Sequence, residues 1–199
     1  GHPFDTIKIL QQNKIKIKYA SKILYNGVSI PLIFNGLSNS IMFGMYCQLN
    51  NNGGLSTPVS AFVSGGLSSI FLTPHDYVKT QLQIVQKPVI RHLYRGFYMT
   101  TLREALGSCI YFTGYEYGVK FLGNTDTSAF VSGGVSGVAS WLFIYPIDVI
   151  KTRVMSGVAK TSMDAIRMGD MWSGVGACIS RAFLVNGVSF LIYNKLIDK

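Results

Sequence analysis

The chain has 199 residues, 48% of them apolar and only 14% charged, with a formal net charge of +9. Soluble domains average about 25% charged residues, so this composition lacks the groups that keep a globular surface wet, and the positive mean hydropathy of +0.30 points to a membrane setting. The basic excess falls between apolar runs, where it fits loops facing anionic headgroups and speaks against a nucleic-acid polymer as partner.

In chain order, the first element is HPFDTIKIL, His2 to Leu10, which carries Pro3, Asp5 and Lys8. A basic segment follows with Lys14, Lys16, Lys18 and Lys22, and then Tyr25-Asn26-Gly27. From Ile23 to His75 there is no Asp, Glu, Lys or Arg. The turn-forming cluster Asn50 to Gly54 divides this run, predicting one helix over about 28–50 and a second apolar span over 55–73. Each piece is close to the roughly 20 residues that cross a hydrocarbon core of about 30 Å.

The second span ends in TPHDYVKTQ, with Pro74, Asp76 and Lys79, followed by Lys87, Arg91 and Tyr94-Arg95-Gly96. A helix is predicted over 97–121, ending at Tyr115-Glu116. The third span, 127–145, carries no charge and runs into YPIDVIKTR, with Pro146, Asp148 and Lys151. Trp172-Ser173-Gly174 then precedes a helix over 175–196 that ends at Tyr193-Asn194. Pro3, Pro74 and Pro146 stand 71 and 72 residues apart, a period that indicates a repeat architecture. The second and third motifs each follow an apolar span and the first does not, so the helix before Pro3 is expected to be absent from this sequence. Gly133 with Gly137, and Gly65 with Ser69, have the small-xxx-small spacing of close helix packing in lipid. Cys47, Cys109 and Cys178 are far apart and read as reduced thiols within helices.

Three tandem copies of Pro-x-Asp-x-x-Lys, each followed by aromatic-x-glycine and another helix, resemble the mitochondrial carrier family over essentially the whole chain. The resemblance implies an all-α membrane protein. Its fold would be a threefold pseudo-symmetric carrier bundle of five transmembrane helices plus the tail of the first odd helix, in repeats at 1–50, 55–121 and 127–199. It further implies a multi-pass monomer of the inner mitochondrial membrane, in contact with lipids such as cardiolipin. Such a protein exchanges a small solute by alternating access without a cofactor. In that family the odd helices kink at the motif proline, here Pro3, Pro74 and Pro146. The acid and base of neighbouring repeats pair to close the matrix side, which places Asp5, Lys8, Asp76, Lys79, Asp148 and Lys151 in a gate. A glutamine four residues after the lysine braces it; Gln12 and Gln83 fit, and Met155 departs.

The physical logic of such a ring stands on its own. Opposite charges about 4 Å apart attract by about 4 kcal/mol at an effective dielectric of 20, and desolvation offsets much of that. The closure is therefore marginal, as a gate must be. On the opposite side only Glu116 keeps the acid of the family's aromatic-acid-x-x-base pattern. Cys47 and Asn194 replace the other acids, and Asn50, Val119 and Ile197 stand at the base positions, which predicts a weak outer gate.

Counting from Gly27, Gly96 and Gly174, Phe34, Arg103 and Arg181 stand seven residues on, and Asn35, Glu104 and Ala182 stand eight on. Arg103, Glu104 and Arg181 are ionisable residues well inside the second helices. At membrane depth such groups are costly and usually line a pathway. The resemblance places substrate contacts at these positions. Two arginines can grip a carboxylate or phosphate through forked hydrogen bonds, and Glu104 adds an acceptor for an ammonium group. Ser38 and Asn39, one turn beyond Phe34, are placed to read the rest of the molecule.

The second helices look most like those of the carnitine/acylcarnitine and ornithine (basic amino acid) branch, so an ammonium-bearing carboxylate is the expected substrate. A nucleotide is the alternative, and a non-transporting membrane adaptor is the alternative of another class. An enzyme is not indicated: there is no phosphate-cradling GxxxxGK, and His2, His75 and His92 are scattered, so no metal site is expected.

Overall fold

The computed structural model describes residues 2–14, 25, 28–52, 54–123 and 126–178. They form helices and turns with no strand: α1 His2–Gln12, α2 Ser29–Cys47, α3 Thr57–Gln83, α4 Phe97–Leu122, α5 Asp126–Ser156 and the short α6 Ser162–Arg167. A π-helical turn, Gln48–Asn52, extends α2, and a single 3-10 turn, Ile90–His92, lies between α3 and α4. The repeat-3 connection is the longer one. It holds α6, which starts at a capping box: Asp164 donates its backbone N–H to the Thr161 hydroxyl (3.2 Å), and the Thr161 N–H donates back to the Asp164 carboxylate (3.1 Å). Hydrogen bonding with Thr161 holds the Asp164 carboxyl below the usual carboxylate range.

Each apolar span and its proline motif form one unbroken helix. Pro74 lies inside α3 and Pro146 inside α5, and both helices run about ten residues beyond the proline. Pro3 lies in the first turn of α1. At 1.5 Å per residue α5 is about 46 Å long, more than a hydrocarbon core requires.

The helices are polar inside and apolar outside. Along α3, Ser60, Ser64, Ser68 and Ser69 are buried, while Val59, Phe62, Leu67, Ile70 and Phe71 are exposed. Along α5, Ser128, Ser132, Ser136 and Ser140 are buried, and Val131, Val135, Val138, Leu142 and Phe143 face outward, Phe143 with 74% of its surface exposed. A soluble bundle places these faces the other way round. In lipid the outward side chains need no cover, and packing is driven by close approach of small residues. The segment Val131–Ser156 is long and apolar enough to cross a membrane by its composition alone. Asp76 and Lys79 in α3 and Arg103 and Glu104 in α4 are inward polar groups that lower the hydropathy of those two helices.

Consecutive long helices pack against each other, with α4 between α3 and α5. The α4–α5 contact is antiparallel and pairs glycine with serine. A Cβ on Gly118 would meet Ser132, one on Gly114 would meet Ser136, and one on Gly107 would meet Ile144 and Ser140. On the other flank a Cβ on Gly65 would lie 2.5 Å from the Glu104 carbonyl oxygen, and the Ser69 and Thr101 hydroxyls are 2.7 Å apart. The Gly65/Ser69 pair is thus a helix contact, as its spacing predicts. Gly133 and Gly137 face α4 less closely: a Cβ on Gly133 would lie 3.9 Å from the Tyr115 ring and 4.0 Å from the Tyr111 hydroxyl, and one on Gly137 3.9 Å from the Tyr111 ring. The close approach on α5 runs one residue away, along its serines.

This contrast has a measurable consequence. A Cβ at Gly118 would stand 2.7 Å from the Ser132 Cβ, which no rotamer relieves. Gly118→Ala should destabilise by about 1–3 kcal/mol through overpacking. Gly133→Ala should be neutral, or stabilising by up to about 1 kcal/mol through helix propensity. Thermal unfolding in detergent separates them; equal melting points would contradict the assigned faces.

Candidate functional site

The three proline-motif helices α1, α3 and α5 each carry an aspartate and, three residues on, a lysine on the same helical face. Lys8 Nζ lies 2.8 Å from Asp148 Oδ2, Lys79 Nζ lies 3.2 Å from Asp5 Oδ2, and Lys151 pairs with Asp76. Each lysine therefore reaches the aspartate of the preceding repeat, and the three pairs close a cycle. All six side chains are at least four-fifths buried. Lys8 also stands over the ring of Trp141, 4.7 Å from its centroid, a cation–π contact that suits a partly desolvated ammonium.

The two expected glutamine braces behave differently. Gln12 donates from Nε2 to Asp148 Oδ2 (3.1 Å) and so supports the Lys8–Asp148 pair. Gln83 instead donates to the Thr6 hydroxyl (3.2 Å), the neighbour of Asp5. The expectation that it braces the Lys79–Asp5 pair directly is corrected to a contact one residue away.

Side chains two residues after the motif lysines carry a further layer that the sequence reading passed over. Gln81 donates to the Met155 carbonyl (2.8 Å), and Arg153 donates through Nε to the Gln12 carbonyl (2.9 Å). Met155 and Gln12 occupy equivalent positions in successive repeats, so the two bonds are quasi-symmetric links from one repeat to the next. The glycines before the second helices repeat the same relation. Gly96 and Gly174 have φ of +82° and +83°, a left-handed conformation that favours glycine. A Cβ on Gly96 would approach Met155 and the Lys151 carbonyl; one on Gly174 would lie 3.0 Å from the Lys8 carbonyl. Tyr145, inside the third motif, is buried, donates to the Ser173 carbonyl (2.9 Å) and stacks on Trp172.

Arg103 and Glu104 of α4 form an ion pair with each other. Arg103 also leans onto the ring, with Nη2 3.8 Å from Asp76 Oδ2 and Nη1 3.7 Å from Asp148 Oδ1. Its Nε is buried without a hydrogen-bond partner. His75, which the sequence reading dismissed as scattered, lies in this neighbourhood. Its Nδ1 donates to Asp76 Oδ1 (2.9 Å), its Nε2 is buried without a partner, and its ring packs 5.6 Å from that of Phe34. Phe34 thus reaches the same region from α2. Ser38 is half-buried on α2. The side chains of Asn35 and Asn39, and Arg181 with Ala182, lie outside the described residues.

At the far end of α4, Glu116 pairs with Lys120 of its own helix, one residue beyond the expected base position at Val119. Among the described residues, Cys47 and Cys109 are free thiols. A cavity of about 660 Å³ lies away from Arg103, between Phe4, Ile7 and Gln11 of α1 and the turn around Trp172 to Gly174.

The family model described as Mitochondrial carrier protein matches residues 124–199. The mitochondrial arginine transporter BAC2 of Arabidopsis thaliana is 30% identical over 97% of this chain and 83% of its own length. The chain belongs to the mitochondrial carrier family. The carrier is also 28% identical to mitochondrial ornithine transporter 1 of Mus musculus, over 97% of the chain and 87% of that protein. With the mitochondrial basic amino acids transporter of Bos taurus it shares 26% identity, over 94% and 76%. It is a mitochondrial membrane protein, and transport is the activity it shares with these relatives.

Proposed function

We propose that this carrier exchanges a small zwitterion bearing a cationic group, a basic amino acid or a carnitine-type molecule, across the inner mitochondrial membrane by alternating access. The observation that carries the reading is the adjacent Arg103 and Glu104 at the level of the ring. A guanidinium fork suits a substrate carboxylate, and a carboxylate suits an ammonium or guanidinium. Three relatives named for arginine, basic amino acids and ornithine support the same class. The ring of three ion pairs then serves as the matrix gate, shut while Lys8, Lys79 and Lys151 hold Asp148, Asp5 and Asp76.

The test is uptake of labelled arginine, ornithine, carnitine and ADP into liposomes by the wild type and by Glu104→Gln. The substitution keeps the shape and removes the charge. A buried charge-assisted hydrogen bond is worth about 1.5–3 kcal/mol, so uptake of the cationic substrates should fall roughly tenfold to a hundredfold. ADP uptake that survives or rises in the variant, with no amino acid or carnitine transport, would replace this reading with a nucleotide carrier. No uptake of any class by the wild type would favour an adaptor.

A further inference from the structure

We infer that His75 is a specificity-determining residue of the substrate site: its Nε2 accepts a hydrogen bond from the substrate's α-ammonium, which selects a basic amino acid over a carnitine-type molecule. The inference rests on the reading that Arg103 holds the substrate carboxylate. Its own support is where His75 lies and what its ring lacks. The ring packs 5.6 Å from that of Phe34, which stands seven residues after Gly27 as Arg103 stands seven after Gly96. On its other side Asp76 joins it to Arg103: His75 Nδ1 lies 2.9 Å from Asp76 Oδ1, and Arg103 Nη2 lies 3.8 Å from Asp76 Oδ2. From α3, His75 thus sits between Phe34 of α2 and, through Asp76, Arg103 of α4. The Pro-x-Asp motif makes no demand of its own at this position, since the equivalent residues are Phe4 and Ile147.

A carboxylate only accepts, so the hydrogen of the neutral imidazole is on Nδ1, and Nε2 is left as a lone-pair acceptor. The side chain has 7% of its surface exposed, and among the described residues Nε2 has no donor. Burying such an atom unpaired costs free energy, and each case calls for a reason. Arg103 has the converse defect, a buried Nε–H with no acceptor. An α-amino acid meets both with groups on one carbon: the carboxylate accepts from Arg103, and the ammonium donates to His75. The second cation of a basic amino acid remains for Glu104. Carnitine carries a quaternary ammonium with no N–H, and cannot satisfy Nε2.

The experiment measures binding of ornithine and of α-N-trimethylornithine to the purified carrier in wild type, His75→Asn and His75→Gln. The two probes differ at the α-nitrogen, which donates in one and not in the other. Asparagine puts an amide nitrogen where Nδ1 stood and keeps a donor for Asp76, but leaves nothing at Nε2. Glutamine reaches the place of Nε2 with its amide oxygen and gives up Nδ1. Wild type should bind ornithine about tenfold more tightly than the methylated probe, the effect of one charge-assisted hydrogen bond. His75→Asn should lose that preference and His75→Gln should keep most of it. A preference that His75→Asn keeps overturns the inference, as does equal binding of the two probes by wild type. A preference lost alike in both variants assigns the effect to ring packing and overturns it as well.

A second measurement reads the wild-type ring directly. With isotope-labelled histidine, the nitrogen resonance of His75 Nε2 is the one lost in His75→Gln. Without substrate it should be that of a bare acceptor, and it should move to that of a hydrogen-bonded acceptor with ornithine but not with carnitine. A protonated Nε2 without substrate, or an Nε2 indifferent to ornithine, sinks the inference. Arg103→Ala addresses the reading beneath it: unchanged ornithine affinity in that variant removes Arg103 from the substrate site, whatever the His75 variants do.

Discussion

Asp148→Ala should lower arginine uptake a hundredfold or more, and the exchange Lys8→Asp with Asp148→Lys should restore part of it. Asp148 receives more of the site's charge than any single pair implies. It lies 2.8 Å from Lys8, accepts from Gln12 at 3.1 Å and stands 3.7 Å from Arg103. Truncation leaves the buried Lys8 without its anion and removes one of the three carboxylates around Arg103. Breaking a buried pair by removing one partner costs about 3–5 kcal/mol, which at 1.4 kcal/mol per decade is roughly two to three and a half orders of magnitude. The exchange keeps the Lys8–Asp148 attraction but sets a new ammonium beside Arg103, so recovery should be partial. Lys120→Ala is the comparison. Its partner Glu116 is in the same helix and the lysine is largely exposed, and such surface pairs contribute about 0–1 kcal/mol. Full uptake by Asp148→Ala would show that the ring does not govern transport.

The ring could be read from sequence because its information is repeated. Three copies of one spacing put Asp5, Asp76 and Asp148 in equivalent places, and any cyclic arrangement of three such helices brings acid to base. Which neighbour each lysine chooses is a matter of handedness, and only the packed helices show that Lys8 reaches back to Asp148. Where the repeats differ, the same reasoning weakened. Gln83 matches the brace position but finds Thr6, because a long flexible amide takes whichever acceptor the local packing offers. The GxxxG of Gly133 and Gly137 meets the tyrosines of α4 and lies beside the closest approach rather than in it. Serine is nearly as small as glycine, and the α5 stripe Ser132, Ser136, Ser140 meets the glycines of α4 instead. Arg103 was found by its cost at membrane depth, yet its reach to Asp76 and Asp148 was not legible, since those residues belong to other helices. His75 carried no signal at all beyond standing next to a motif aspartate.

Arg153 should prove the most stability-critical side chain on the ring's far side, with Arg153→Met lowering the melting point of the detergent-solubilised carrier by about 8–16 °C. It is fully buried, and its partners are carbonyls. Nε donates to Gln12, Nη1 to Ala165 (2.9 Å) and Gly169 (2.6 Å), and Nη2 to Asp170 (3.1 Å). One guanidinium thus joins the end of α1, α5, and the segment from α6 to the turn that follows it. Methionine fills much of the space and donates nothing, so the buried Gln12 and Ala165 carbonyls lose this donor, while the exposed Gly169 and Asp170 can turn to water and Asp170 keeps the Ser173 N–H. Each buried unsatisfied group costs about 1–3 kcal/mol; two at mid-range come to about 4 kcal/mol, and for a chain of this size 1 kcal/mol shifts the midpoint by about 2–4 °C. Arg153→Lys should fall between, because an ammonium has three donors and no planar fork. The loss should also reach the ring, since the Gln12 whose carbonyl Arg153 holds is the residue that supports the Lys8–Asp148 pair. Uptake should therefore drop at temperatures where Arg153→Lys is still fully folded. A melting point within about 2 °C of wild type for Arg153→Met would show that water replaces the guanidinium at no cost, and that the link between repeats through Gln12 is incidental.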